Sequence, residues 1–335
     1  MTRIGLAGAG LVGKRHIAAL KDVANASLSS VLDPGLPADA DLPRVDDLKA
    51  LSDVSDGVIL AVPNHLHLPM AEELLRLGCP VLIEKPLADT AANGARVCEV
   101  ADQTGVPVLV GHHRRHNPMI AKARQIMEGG TLGPITAVQG TCWLPKPDSY
   151  FEQAWRQGAG AGPLFINLIH DVDLLMYLCG PIIEVQAYES NAQRGAEAEE
   201  VTVAILRFQS GTLGTVNLSD VSLGPWSYEM TAGENPAYPR TDQSAYVIGG
   251  RYGSLAIPNL TVWSQRNGPD WWAPIDATPV IFAERDPLVA QLEHFCAVIN
   301  GADAPLVTAQ DGLRAVQVVE AIKQAARTGA AIGIP

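Results

Sequence analysis

Two residues are the best suited by type to hold an oxygen or move a proton: Lys85 in Glu84-Lys85-Pro86, and His170 in Asn167-Leu168-Ile169-His170-Asp171-Val172-Asp173. A lysine offers three N–H donors and a positive charge, and a histidine accepts a proton from a hydroxyl near neutral pH. Lys85 follows the short apolar run Val81–Ile83, and Pro86 after it keeps the backbone extended and ends the strand. Asn167, His170 and Asp173 recur at three-residue spacing in a stretch otherwise made of Leu164, Phe165, Ile166, Leu168, Ile169 and Leu174. On a helix they form one polar stripe, which must be hydrogen-bonded internally or face a cleft. Spacing alone leaves two alternatives open: an exposed lysine in a strand-to-loop turn, and a structural histidine satisfied by its neighbours.

A third motif bears on what those residues act upon. Gly8-Ala9-Gly10-Leu11-Val12-Gly13 is a G-x-G-x-x-G sequence between a strand pattern and a helix pattern. Its first glycine permits a tight turn, its second lets backbone approach a pyrophosphate, and its third lets helix and strand pack closely. The helix start adds free N–H groups and a positive dipole end. Asp33 closes the second strand, where an acid binds the ribose hydroxyls and repels a 2′-phosphate, so NAD is expected over NADP.

The elements that must position these residues follow from the hydrophobic pattern. Arg3–Leu6, Ser27–Leu32, Asp56–Val62, Val81–Ile83 and Val106–Val110 read as strands, and Gly13–Leu20, Leu66–Leu77 and Ala91–Thr104 as helices between them. Strands alternating with helices at this spacing make an α/β, doubly wound parallel sheet. After Pro118 the rhythm changes. Helix Met119–Glu128 and the Gly158–Gly180 stretch precede alternating runs at 182–189, 201–208, 211–218, 245–248, 254–257 and 260–263, the pattern of an open, mostly antiparallel sheet. Helices at Leu288–Ile299 and Ala309–Thr328 close the chain. The expected organisation is a dinucleotide-binding domain over 1–118 and an α+β domain over 119–335, with the last helix able to pack back on the first domain.

Bulk composition narrows the partners. With 335 residues, two cores are expected. A net charge of −12 disfavours nucleic acid and anionic membranes, and no apolar run approaches a bilayer span. The start of the chain shows no secretory pattern, and the five scattered cysteines read as reduced thiols, so a cytoplasmic location is expected. His112 and His116 are four apart, but no helix is indicated there and no acid or cysteine completes a ligand set with His113, so no metal is expected.

The glycine motif, Pro63-Asn64-His65-Leu66-His67, Glu84-Lys85-Pro86 and the His170-Asp171-Val172-Asp173 helix occur in an order that resembles the glucose–fructose oxidoreductase / inositol dehydrogenase / rhizopine catabolism (Gfo/Idh/MocA) family. The resemblance implies a nicotinamide-dependent dehydrogenase oxidising a secondary alcohol of a small cyclic substrate. It implies Lys85 at cofactor and substrate, His170 as acid/base, and Pro63, Asn64, His67 and Glu84 along the nicotinamide side. Homodimers or homotetramers through the second sheet are implied as well. One departure stands out: the family's aspartate four residues before the histidine is Ile166 here, with Asn167 one residue later. Lys85, Asn167 and His170 are therefore the expected catalytic set. Asn167-Leu168-Ile169-His170-Asp171 and the 233–239 segment also resemble a subgroup of carboxylated cyclohexadiene-diol dehydrogenases. For such a ring, Arg114, Trp155 and Arg156, with Trp143, Lys146 and Tyr150, are candidate substrate contacts. Two other readings are a dinucleotide-sensing regulator without turnover, and a redox-neutral enzyme holding NAD tightly.

Overall fold

The computed structural model describes residues 1–335 apart from Ala38 and Ala159; the latter falls within the 158–180 stretch discussed above and is outside the described residues. The chain divides into two compact units, Met1–Asn117 with Arg285–Gln317, and Pro118–Glu284 with Val318–Pro335.

The first unit alternates β1 (Thr2–Ala7), α1 (Leu11–Leu20), β2 (Ala26–Leu32), α2 (Leu48–Asp53), β3 (Gly57–Leu60), α3 (His67–Arg76), β4 (Val81–Ile83), α4 (Ala91–Thr104) and β5 (Val108–Val110). The strands pair in parallel in the order β2-β1-β3-β4-β5. Ile4, Leu6, Val58, Ile59, Leu60, Leu82 and Leu109 are buried, as expected of strands covered on both faces, which is why they read as unbroken apolar runs. The order reverses between β1 and β3, so the ligand crevice of such a sheet lies at the carboxyl ends of these two strands.

The second unit is built from α5 (Pro118–Glu128), β6 (Ile135–Trp143), α6 (Ile169–Cys179), β7 (Ile182–Ser190), β8 (Val201–Phe208), β9 (Leu213–Ser219), α7 (Tyr228–Thr231), β10 (Tyr246–Gly250), β11 (Gly253–Ile257), β12 (Thr261–Ser264) and β13 (Asp276–Pro279). Two helices follow in the chain, α8 (Pro287–Ile299) and α9 (Ala309–Thr328), and then β14 (Ile332–Gly333). The nine-stranded sheet runs β13-β12-β11-β10-β6-β9-β8-β7-β14 and is antiparallel except for β6 beside β9. One face is buried, as Ala204, Leu206 and Phe208 of β8 show; the alternate residues Val203 and Ile205 are exposed.

Three differences from the sequence reading have physical causes. The expected division at 118 leaves 285–308 out of the first unit, which takes them in because α8 buries Leu288, Leu292 and Phe295 in the same core as Ile4 and Leu60. Gly57 makes room for it: a Cβ there would lie 2.5 Å from Ile299 and 3.1 Å from Phe295. Strand β6 escaped the pattern because Ile135–Trp143 mixes polar residues with Gly140, whose missing side chain accommodates Val216 and Tyr246. Strand β13 is exposed along its whole length, so no hydrophobic alternation marks it.

Candidate active site

Each unit contributes its own set of candidate residues. In the first unit the glycine turn joins β1 to α1. Gly8 has φ +90°, and a Cβ there would sit 2.3 Å from the Ala61 carbonyl oxygen at the end of β3, so both conformation and contact demand glycine. A Cβ on Gly13 would lie 2.0 Å from the Gly8 oxygen, which makes it the close helix–strand approach. Gly10 is different: nothing lies within 4 Å of the place its Cβ would occupy. The missing side chain there leaves space open to solvent, the cradle a pyrophosphate needs. No side chain caps α1, its first turn carries no acid, and Leu11 and Val12 beside it are exposed. Its N–H groups and positive dipole end are therefore available to an anion.

Asp33 sits at the end of β2 as expected, and both its carboxylate oxygens already accept backbone hydrogen bonds, from Ala9 at 2.5 Å and Gly35 at 2.7 Å. It thus braces the glycine turn, and a carboxylate retains further lone pairs for a ribose. Pro63 and Asn64 are exposed just beyond β3. His67 departs from the expected lining role. It is fully buried, with Nδ1 2.8 Å from the Pro86 oxygen and Nε2 3.0 Å from the Val62 oxygen. Burial pushes its pKa down. It clamps the loop after β3 to the lysine turn rather than presenting a nitrogen to a ligand.

Lys85 follows β4 and is half-buried. The neighbouring Glu84 is buried, its Oε1 2.7 Å from His16 Nε2 and its Oε2 accepting the Lys85 N–H at 3.1 Å. Burial pushes this carboxyl up, but the His16 hydrogen bond and the charges of His16, His113 and Lys85 outweigh it and hold the pKa at about 2. Arg114 lies buried in a short 3₁₀ turn over His113–His116. His116 packs at a tilt against His294, ring centroids 5.1 Å apart, and burial with the nearby positive charges pushes its pKa down to about 3.

In the second unit the expected helix begins with one π turn, Leu164–Leu168, before α6. Such wide turns recur at functional sites. This one contains Asn167, and His170 lies in the first turn of α6. Both are buried, and among the described residues the Asn167 Oδ1 has no hydrogen-bond partner. The segment is anchored at its start by buried Glu199, which accepts the Leu164 N–H at 3.1 Å and pairs with Lys323 at 3.1 Å. Tyr246 of β10 donates a hydrogen bond to Asp171 on the same helix.

The aromatic and cationic candidates of this unit gather, but differently from a carboxylate pocket. Trp143 donates to Asn217 at 2.9 Å and packs edge-on against Trp226 at 5.4 Å. Lys146 lies 3.4 Å from Asp220, which also takes Arg194 at 2.7 Å; Arg194 in turn lies 3.4 Å from Glu200. Two cations thus meet two carboxylates, and the Lys146 charge is spent inside the protein. Arg156 stacks 4.0 Å over Tyr150 and donates to its carbonyl at 2.8 Å. Trp155 is 63% exposed, with its indole N–H on Gln153. Sequence reasoning missed Arg194, Glu200, Asp220 and Tyr246; Asp220 and Tyr246 have partners 26 and 75 residues away, Arg194 and Asp171. It also missed His16, for which the buried i+3 position after Gly13 was a usable signal.

Comparison with known proteins extends this geometry. Residues 2–112 match a model described as the oxidoreductase family, NAD-binding Rossmann fold, and residues 120–255 match the GFO/IDH/MocA C-terminal domain. An inositol 2-dehydrogenase of Corynebacterium glutamicum (strain R) is 25% identical over 232 residues, 65% of this chain and 66% of that protein, just under two thirds of its length. A 4-carboxy-2-hydroxymuconate-6-semialdehyde dehydrogenase of Sphingobium sp. is 28% identical over 244 residues, 67% of this chain and 73% of that protein. Among solved structures, the WlbA dehydrogenase of Bordetella pertussis, in complex with NADH and UDP-GlcNAcA, superimposes with a TM-score of 0.78. It is 27% identical over 100% of this chain and 99% of that one. With both halves matched by the same family and the glycine turn shaped for a dinucleotide, the chain belongs to the NAD-binding GFO/IDH/MocA family of oxidoreductases.

Proposed function

We propose that this protein is an NAD-dependent dehydrogenase that oxidises a secondary alcohol on a small cyclic substrate, sugar-like or a carboxylated ring. The observation that carries the reading is the open, uncapped glycine cradle at the strand-order reversal, with a lysine turn at the end of β4 in the same sheet. Bound NAD supplies the hydride acceptor. The first-turn N–H groups of α1 bind its pyrophosphate, Asp33 its ribose, and Pro63 and Asn64 line the nicotinamide side. Lys85 donates to the substrate oxygen and steadies negative charge there. His170 takes the hydroxyl proton, and the unsatisfied Oδ1 of Asn167 accepts a hydrogen bond from a substrate hydroxyl. Asparagine orients where a carboxylate would also accept a proton, so the base role falls on His170 alone.

The test is NAD reduction followed at 340 nm across inositols, aldoses, sugar acids, nucleotide-linked sugar acids and carboxylated cis-dihydrodiols, with NADP in parallel. NADH formed from one cyclic class, with NADP slower, is expected. Tight NAD binding with no turnover across all classes overturns the dehydrogenase reading.

The exposed sheet face of the second unit is assigned to self-association. Tyr188, Ile205 and Leu213 on three neighbouring strands are 70%, 51% and 56% exposed, an apolar stripe that a second copy would cover. A cytoplasmic location accords with five free cysteines. Among the described residues no helix is long and apolar enough to cross a membrane.

A further inference from the structure

Of the cations that the second unit offers to a carboxylate, one is neutralised internally and one is left unmatched. We propose that Arg156 is a carboxylate-binding subsite: the Nε–Nη2 edge of its guanidinium takes both oxygens of a ligand's carboxylate, and the ligand's ring lies against Trp155. This deepens the dehydrogenase reading by making the substrate a cyclic acid, and it rests on that reading for the turnover step alone.

The charge balance singles out Arg156. Lys146 and Arg194 face Asp220 and Glu200, so two charges of each sign cancel. Arg156 adds a third cation beside them: its guanidinium carbon lies 4.0 Å from the centre of the Tyr150 ring, and Lys146 Nζ lies 5.1 Å from the same ring. Arg124, Arg207 and Arg240 of the same unit each reach a carboxylate. Among the described residues Arg156 reaches none, and its side chain makes one hydrogen bond, from Nη1 to the Tyr150 oxygen at 2.8 Å. The acids of the neighbouring turns, Asp148 and Glu152, are exposed and do not pair with it.

With Nη1 on a carbonyl, Nε and Nη2 remain. Their N–H groups point the same way in the guanidinium plane, the side-on geometry that meets both oxygens of one carboxylate. Nε is buried and has no partner among the described residues, a placement that costs stability unless a ligand supplies the acceptor. Tyr150 at 4.0 Å and Trp155 at 5.2 Å take the guanidinium by its face, which leaves the in-plane edge to a ligand. Trp155 is 63% exposed while its indole N–H is held by Gln153. An open aromatic surface next to a cation suits an acid carried on a ring. One unmatched charge and one fork fit a carboxylate; a phosphate dianion would call for a second free cation, and Lys146 already lies on Asp220.

The same short segment holds this subsite and the helix of the proposed base. The Gln157 oxygen, next to Arg156, accepts the N–H groups of Glu197 and Ala198, both at 3.1 Å. Glu199, the next residue, accepts the Leu164 N–H at the start of the π turn that contains Asn167.

Binding tests the subsite without cofactor or turnover. Benzoate, acetate, benzyl alcohol and inorganic phosphate are titrated at constant ionic strength, with ligand-observed NMR giving each Kd. The natural protein is expected to bind benzoate, and Arg156→Gln to bind it about tenfold more weakly. Arg156→Lys, which keeps the charge and loses the fork, is expected to bind it about threefold more weakly or worse. Benzyl alcohol, the same ring without the charge, is expected to respond to neither variant. Acetate is expected to bind about tenfold more weakly than benzoate, a gap that narrows in Trp155→Ala. Circular dichroism verifies each fold, and should Arg156→Gln not fold, Arg156→Lys carries the comparison. No benzoate binding by the natural protein, or equal binding by folded Arg156→Gln or Arg156→Lys, overturns the proposal. Phosphate that binds more tightly than benzoate and is lost in Arg156→Gln overturns it in favour of a phosphate ligand, and acetate that matches benzoate overturns the ring contact. NADH formed from a neutral inositol, with no benzoate bound, sinks the subsite alone. Benzoate binding that follows Arg156, with no NADH formed from any cyclic alcohol, sinks the dehydrogenase reading alone.

Discussion

Single residues carry the chemistry, and their surroundings decide which can do so. His170 and Asn167 are buried polar groups on an apolar helix, a placement that costs stability unless it serves a ligand or an internal partner. His170→Ala is expected to lower kcat on the order of a hundredfold or more while leaving the NADH dissociation constant unchanged; steady-state rates beside a fluorescence titration check this, and a near-native kcat refutes the base role. Glu84 makes a pH prediction. Its folded pKa of about 2 lies below the ordinary 4.5, so it contributes stability above pH 4.5 that is lost as pH falls toward 2. The loss is on the order of 3 kcal/mol for a shift of this size. Urea unfolding at pH 7 and pH 3.5 is expected to show a smaller drop for Glu84→Gln than for the natural protein. Equal drops would mean that the carboxylate is not held charged in the fold.

At the scale of elements, the turn between β1 and α1 separates folding from binding. Gly13→Ala places a Cβ 2.0 Å from a backbone oxygen that cannot move freely, so the helix must shift. An unfolding cost of about 1–3 kcal/mol and weak NAD binding are expected together. Gly10→Ala meets nothing within 4 Å, so its melting temperature is expected to stay within a few degrees while NAD affinity falls at least tenfold. Thermal melts paired with calorimetric NAD titration decide it; a Gly10→Ala protein that binds NAD normally removes the pyrophosphate from that turn. Both glycines were legible as a motif, and so were β4 and α4, whose bounds match the apolar run and its Gly105 stop. The π turn was not legible. Leu164–Leu168 has the composition of ordinary helix, and buried Glu199 at its start, with its partner Lys323, comes from distant segments.

On the scale of the whole molecule, the open face of the nine-stranded sheet is the feature still to be accounted for. Ile205 lies on β8, the third strand from the β14 edge, opposite Thr215 on β9 and Gln186 on β7, with neither neighbour covering it. Light scattering after size exclusion is expected to give a multiple of 35.5 kDa for the natural protein and a smaller species for Ile205→Glu. A natural protein that runs as a monomer at micromolar concentration, or an unchanged mass in the variant, would exclude this face as the interface.

What the sequence determined by itself was local or periodic. The parallel sheet followed from continuous apolar strands and the dinucleotide turn from glycines at fixed spacing beside a strand, while residue type in an unusual setting made Lys85 and His170 candidates only. What the tertiary structure decided was electrostatic and long-range. It matched Lys146 and Arg194 with Asp220 and Glu200, removing a cation the sequence offered to a substrate. It turned both nitrogens of His67 onto carbonyls, and it set His16 against Glu84. It also returned α8 to the first core. Periodicity reports which way a side chain faces along its own element. Whether a buried charge there meets an opposite charge, a carbonyl or a ligand depends on what another part of the chain brings to it.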